Sequence, residues 1–526
     1  MRRGRAGRGG AGQDAARLAG ATGDVQYDLM VALAAPHPAA ADAARAVVAA
    51  GGNAFDAALA AAAALTVVYP HQCSIGGDLV AIVRPAGQAP RAVLSIGAAA
   101  AAVDVAALRA AGAEMPSGGP QTVTVPGVVA GWAAIAGLGA RLPFADLLAP
   151  ARALAAGGVP VSAGLRRAVR DGIDVVRADP GLSALLLRSD GSPVTTLSQP
   201  VLAETFDVLA GDWRSFYTGE LADRLVAGLT ALGSPLSAAD LAAHRAEVTE
   251  PLTRVIGEAT WHAAPPPVQG ATFLAIAGSP DLLTDASRAR RARDLLLGDP
   301  RTGPIDLDGL LRPEPTPGPS AAGTSAAGTS AGGAKPAGDT VAVTAVDAEG
   351  NAVTLIQSVF WSFGSGLLDP GTGIVLHNRG SSFSLDPAHP ARLAPGARPP
   401  HTLCPTLAVD GDTVVALGCQ GGRSQPWILA QVAADVLASP DLDGLLARSR
   451  WVIGTAGIDR ARPTLLLEPG TPDAARLAAV AGELGFAVET TAGRHDDAGH
   501  VQVARLRDGV LAAASDPRAD GRPAVL

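Results

Sequence analysis

The sequence predicts an α+β protein, a sheet sandwich assembled from two stretches of one chain, and three observations carry that reading. Alanine-rich helical segments dominate residues 37–312. Alternating runs rich in β-branched residues take over from Thr340. Between them lies Pro313–Gly338, with the near-repeat Gly323-Thr324-Ser325-Ala326-Ala327 and Gly328-Thr329-Ser330-Ala331-Gly332, a composition suited to a flexible linker. Helices first and paired strands after an exposed linker fit layers built around a shared core. The chain thus divides into a disordered basic tail (1–25), a large segment (26–312), a linker (313–339) and a small segment (340–526).

Each element has a local reason. A helix after His37-Pro38 stops at Gly51-Gly52-Asn53, a glycine C-cap signal. A second helix, Ala54 to Val67, is apolar nearly all round apart from Asp56 and reads as buried. A loop, Tyr69 to Asp78, leads into a strand through Leu79–Val83. Helices after Val125-Pro126-Gly127 end at Gly157-Gly158, Phe216-Tyr217-Thr218-Gly219 opens another, and Ser237 caps a third. Pro265-Pro266-Pro267 precedes a helix from about Gly270. Beyond the linker, Asp347-Ala348-Glu349-Gly350-Asn351 turns the Thr340 strand into Ala352–Ser358, a hairpin. A second hairpin, Pro405–Val409 and Thr413–Leu417, leads through Gly421-Gly422 to a helix from about Pro426.

Composition narrows the class. At 526 residues the chain needs two subdomains or a large layered sandwich. Aromatics make up only 3% against 48% hydrophobic residues, so the core must be built from small side chains. A net charge of −8 gives no basic surface for nucleic acid or an anionic membrane. The apolar run Ala57–Val68 is too short to span a bilayer. Cys73, Cys404 and Cys419 cannot all pair and lack metal spacing, which points to a reducing, cytoplasmic setting. Gly328–Gly332 matches a serine-hydrolase elbow by letters but lacks the strand and helix such an elbow needs. His495 and His500 have no evident carboxylate partner for zinc, and no phosphate-binding or dinucleotide fingerprint occurs. Neither metal nor cofactor is implied.

Thr340 is the residue with chemistry attached. Were the Asp339–Thr340 bond cut, Thr340 would start a new chain on a sheet strand, with its hydroxyl close to a free amine that can take its proton. This arrangement is the signature of N-terminal-nucleophile hydrolases, which generate their active residue by cutting themselves.

The ordered motifs His37-Pro38, Gly52 to Ala57, Ile75-Gly76-Gly77, Val125-Pro126-Gly127, Phe216 to Gly219, Val346 to Val353, Phe363 to Gly366, Pro370 to Gly373, Gly418 to Gly422 and Asp516-Pro517-Arg518 resemble the γ-glutamyltranspeptidase family. The resemblance runs from about Pro36 to Leu526. It implies a four-layer αββα sandwich and a precursor that cuts itself into large and small subunits. It makes Thr340 the processing residue and nucleophile, and Ser358 the second hydroxyl that tunes the new amine. Gly421 and Gly422 take the oxyanion role, where backbone N–H groups meet developing negative charge. A small-molecule amide is the implied substrate.

The chain departs from that family where the γ-glutamyl group is gripped. Ser95 to Ala101 holds no arginine; Ser382 stands where an acid would hold the donor ammonium; Phe360 replaces an asparagine; His401-Thr402 replace paired serines. Ile356 to Trp361, Asn378-Arg379-Gly380 and Arg398 to Leu403 resemble instead the oxamate amidohydrolase branch. There Arg379 either holds a substrate carboxylate or bridges loops at the subunit seam, and His401 either lines the pocket or is a satisfied core histidine. The expected substrate is a γ-glutamyl-like or small carboxylate-bearing amide. A true γ-glutamyl transferase, or an unprocessed non-catalytic relative, are the alternatives.

Overall fold

The computed structural model describes residues 30–314, 339–454 and 462–526. The tail expected over 1–25 and most of the expected linker lie outside the described residues. Strands β1 (Val31–Ala34), β2 (Asp78–Arg84), β3 (Arg91–Ser95), β4 (Glu247–Thr249), β5 (Leu252–Ile256) and β6 (Ala259–Ala263) precede the linker. Strands β7 (Asp339–Asp347), β8 (Ala352–Phe360), β9 (Thr406–Asp410), β10 (Thr413–Cys419), β11 (Val501–Arg507), β12 (Val510–Ser515) and β13 (Ala524–Val525) follow it.

These strands form two antiparallel sheets, β13-β1-β7-β8-β2-β3-β4 and β12-β11-β10-β9-β6-β5. The expectation of helices first and strands afterwards is therefore corrected, because β1 to β6 belong to both sheets. In the first sheet β1 sits between β13 and β7, so the two stretches of chain are interleaved. Short strands such as Arg91–Ser95 carry little local signal, and one of that strand's two partners, Glu247–Thr249, lies far away in sequence.

Side-chain alternation sorts the layers. Ala342, Ile356 and Val80 point between the sheets to meet Leu407, Ala416 and Ala504. The alternate residues Val341, Leu355 and Leu79 face α1 (Pro38–Ala49) and α2 (Ala54–Val68). On the far side, Val415, Leu417 and Trp261 pack on α3 (Gly270–Ile276) and α4 (Gln425–Ala430) through Phe273, Trp427 and Ile428. The result is the expected four-layer αββα sandwich. Every residue of α2 is buried, and its alanines allow a close approach to the sheet. Asp56 is accommodated because Asn53 and Asp56 form a reciprocal capping box and Asp56 also accepts the Arg141 and Leu142 N–H groups. Among the described residues, no helix is long and apolar enough to cross a membrane.

Candidate active site

The hairpin of β7 and β8 places Thr340. Its turn is held by Asp347, which accepts the Glu349 and Asn351 N–H groups and also the Ala54 N–H at the start of α2. The small segment's first strand is thereby tied to the large segment's central helix. Pairing runs regularly to Gln357 opposite Val341, then slips so that Phe360 faces Asp339. Ser358 and Val359 thus share the space opposite Thr340, a β-bulge of the kind that re-aims side chains beside active sites. The Thr340 hydroxyl donates to Ser358 Oγ at 3.1 Å, and Phe360 N–H donates to the same oxygen at 2.8 Å. Phe360 is left with φ +81°, a conformation that side-chain-bearing residues seldom adopt. Thr340 is buried in this uncleaved chain.

Ser358 pairs across the next strand with Asp78. Thr340, Ser358 and Asp78 therefore form a row over β7, β8 and β2, all facing the second sheet. At about 4.8 Å per strand, Asp78 stands about 10 Å from the threonine. Gly77, just before β2, permits this closeness, since a Cβ there would lie 2.3 Å from the Ser358 carbonyl oxygen.

Gly421 and Gly422 follow β10 where the chain turns into α4. Both have positive φ, +144° and +51°, and a Cβ on Gly421 would lie 2.6 Å from Ile428 Cδ1. Gln269 braces the loop, donating to the carbonyls of Gly422 and Thr402, while Arg293 donates to Gln269 Oε1 and to the Arg423 carbonyl.

The remaining sequence-derived candidates converge beside Phe360. Arg379 is fully buried, with Cζ 3.4 Å from the Phe360 ring centroid, and Nη1 donates to Thr402 Oγ1 at 3.1 Å. Its Nε and Nη2 find no hydrogen-bond partner among the described residues. Burial pushes this guanidinium down to about 9, against the opposing attraction of Asp78. The Ser382 hydroxyl donates to the carbonyls of Arg379 and Pro400, so its hydrogen-bonding goes to its own loop. His401 is satisfied at both nitrogens: Nδ1 accepts Leu403 N–H, and Nε2 lies 3.3 Å from Asp78 Oδ2. Outside this cluster, His500 does have a carboxylate neighbour, contrary to expectation, with Nε2 3.3 Å from Asp496 Oδ1.

Sequence reasoning assigned no role to Asp78 or His377, although both are fully buried here. The signal was present: Asp78 opens the otherwise apolar Leu-Val-Ala-Ile-Val run of a buried strand, and His377 ends the apolar Ile374–Leu376. Asp78 Oδ1 accepts Gly97 N–H at 3.0 Å, and Oδ2 lies 3.6 Å from His377 Nδ1. Among the described residues, no group of three or more His, Cys, Asp or Glu side chains is placed to hold a metal ion.

The gamma-glutamyltranspeptidase family profile matches residues 40–526. The chain belongs to the γ-glutamyltranspeptidase family. Within it, the chain is 38% identical over 520 residues to an oxamate amidohydrolase proenzyme of Klebsiella pneumoniae, covering 93% of this chain and 97% of that one. It is 33% identical to a glutathione hydrolase-like proenzyme of Bacillus subtilis, over 80% of this chain and 84% of the relative. Its fold superimposes on a cephalosporin acylase from Bacillus halodurans with TM-score 0.82 and 29% identity, covering 94% and 96% of the two chains. The chain is an amidohydrolase of this γ-glutamyltranspeptidase family.

Proposed function

We propose that the chain cuts itself between Asp339 and Thr340, and that Thr340 is then the nucleophile for hydrolysis of a small carboxylate-bearing amide. The observation that supports this most is the hydroxyl pair Thr340–Ser358 at a bulge where both stretches of chain meet. In processing, Thr340 Oγ attacks the Asp339 carbonyl carbon, the peptide C–N bond breaks, and water hydrolyses the resulting ester. In turnover, the freed amine takes the Oγ proton as Oγ attacks the substrate carbonyl. Donors at Gly421-Gly422 stabilise the oxyanion, the leaving amine departs with the proton, and water releases the acid.

Arg379 supports the substrate class. Two unpartnered N–H groups on one edge of a buried guanidinium match the two oxygens of a carboxylate. The position of the expected ammonium-binding acid is Ser382, whose hydroxyl serves its own loop. Oxamate, the substrate in the printed name of the 38% identical relative, has the required carboxylate and amide.

The deciding experiment uses denaturing gels and a substrate panel. Purified protein should resolve into fragments 1–339 and 340–526, which co-elute under native conditions because their strands are interleaved. Thr340→Ala should remain one intact band without activity. Cleavage of that variant at the same bond would reject the assignment. Efficient γ-glutamyl transfer with no oxamate turnover would favour the glutathione hydrolase reading over the carboxylate-amide one.

A further inference from the structure

Amide hydrolysis at Thr340 makes no use of Asp78, yet the fold buries this carboxyl completely beside the reactive row. Its surroundings fix where protons must sit. His377 Nε2 lies 3.1 Å from the Thr124 hydroxyl, which can donate or accept, and 2.9 Å from the Thr124 carbonyl oxygen, which can only accept; the carbonyl would repel a bare nitrogen, so Nε2 carries the hydrogen. In the neutral ring Nδ1 is then a bare lone pair, and it points at Asp78 Oδ2 from 3.6 Å. His401 is the opposite tautomer, because its Nδ1 accepts Leu403 N–H. Its Nε2–H therefore donates to the same Asp78 oxygen, 3.3 Å away. Were Asp78 ionised and His377 neutral, two lone pairs would face each other in a site closed to water. One proton on the Asp78–His377 pair turns that repulsion into an attraction.

We propose that Asp78 and His377 share one proton in the resting enzyme, and that the pocket takes an anionic substrate only together with that proton. Asp78 is then a specificity-determining positioning residue. This rests on the reading that Arg379 receives the substrate carboxylate. With the proton present, Arg379 is the only net charge among Asp78, His377, His401 and itself, and an incoming carboxylate cancels it. Without the proton, Asp78 already balances Arg379, and a second carboxylate would leave uncompensated negative charge in a buried site.

The other groups around the pair do not supply this proton. Tyr217 is neutral, its hydroxyl pushed up by burial and donating to the Pro126 carbonyl. His244 hydrogen-bonds Ser95 and is pushed down to about 4 by burial. Arg423, a cation whose charge also acts on Arg379, favours an anion here as well. Burial pushes the Asp78 carboxyl up to about 8, opposed by Gly97 N–H and Arg379, and pushes the His377 imidazole down to about 4. The proton accordingly rests on the oxygen at neutral pH and is lost in mildly alkaline solution.

The test compares oxamate with oxamide, its uncharged analogue, in the processed enzyme from about pH 6 to about pH 9, ending where Arg379 would itself begin to lose its proton. For oxamate, 1/KM should fall by about tenfold per pH unit above the Asp78 midpoint, while oxamide shows no such slope. Asp78→Asn, which cannot ionise, should flatten the oxamate profile. An unchanged slope in that variant overturns the proposal. Two readouts keep the wild type informative if the variant fails to fold. The infrared spectrum at neutral pH should show a protonated-carboxyl band that titrates with the KM midpoint. Calorimetry at about pH 8, below the range in which Arg379 titrates, with pyruvate, an isosteric monoanion, should show uptake of about half a proton in buffers of differing ionisation enthalpy. Tight anion binding with no slope and no uptake refutes the coupling itself. Failure to bind any anion, with the carboxyl band intact, refutes it through its premise about Arg379.

Discussion

Replacing Arg379 with alanine separates the two chemistries assigned to this site. The side chain donates once, to Thr402, lies over Phe360, and leaves Nε and Nη2 for a ligand. Hydrogen bonding to a charged partner contributes about 1.5–3 kcal/mol net, so kcat/KM for oxamate should fall about ten- to two-hundredfold. Oxamide, which lacks the anion, should lose much less. Arg379→Lys should recover only part of the loss, since an ammonium cannot present the planar fork. Self-cleavage should proceed in all these variants, because it needs the Thr340 hydroxyl and the oxyanion donors but no substrate carboxylate. Gel-resolved processing therefore doubles as the control for folding. Oxamate kcat/KM within about threefold of wild type in a processed Arg379→Ala enzyme would refute the assignment.

Two further outcomes follow from local geometry. Gly421→Ala sets a Cβ 2.6 Å from Ile428 Cδ1 at a φ of +144°. The loop must shift, and displaced oxyanion donors typically lower kcat by about 10²–10³; single-turnover acylation measures this, and an unaffected rate would remove the loop from the mechanism. Burial pushes His71 down to about 3 and His244 to about 4, below the ~6.5 of an unfolded histidine. The native state thus binds fewer protons than the unfolded chain in the window from about pH 6.5 down to about 4, and stability is lost as pH falls through it. Each histidine should remove about 2 kcal/mol by about pH 5, seen as a lower urea midpoint; a midpoint unchanged from about pH 7 would contradict this.

The local elements were legible in the chain because their causes are local. Gly51-Gly52-Asn53 ends one helix and caps the next, Ser237 and Asp240 close a capping box, and Asp347 to Asn351 turns the hairpin that carries Thr340. Gly421-Gly422 announced a backbone that side chains would obstruct. What the sequence could not supply was register between distant segments. Nothing local specifies that Asp78 pairs with Ser358, that β1 enters between β7 and β13, or that a bulge turns Ser358 toward Thr340. The first two depend on backbone partners hundreds of residues away, and all three on which face of a strand meets the second sheet. The same holds for protons: His377 and His401 are ordinary histidines in the sequence. Only the Thr124 carbonyl behind one and the Leu403 N–H beside the other give them opposite tautomers around one carboxyl. Local propensity set the elements and their caps, whereas tertiary packing, by excluding water and fixing neighbours, set the charge state of the site.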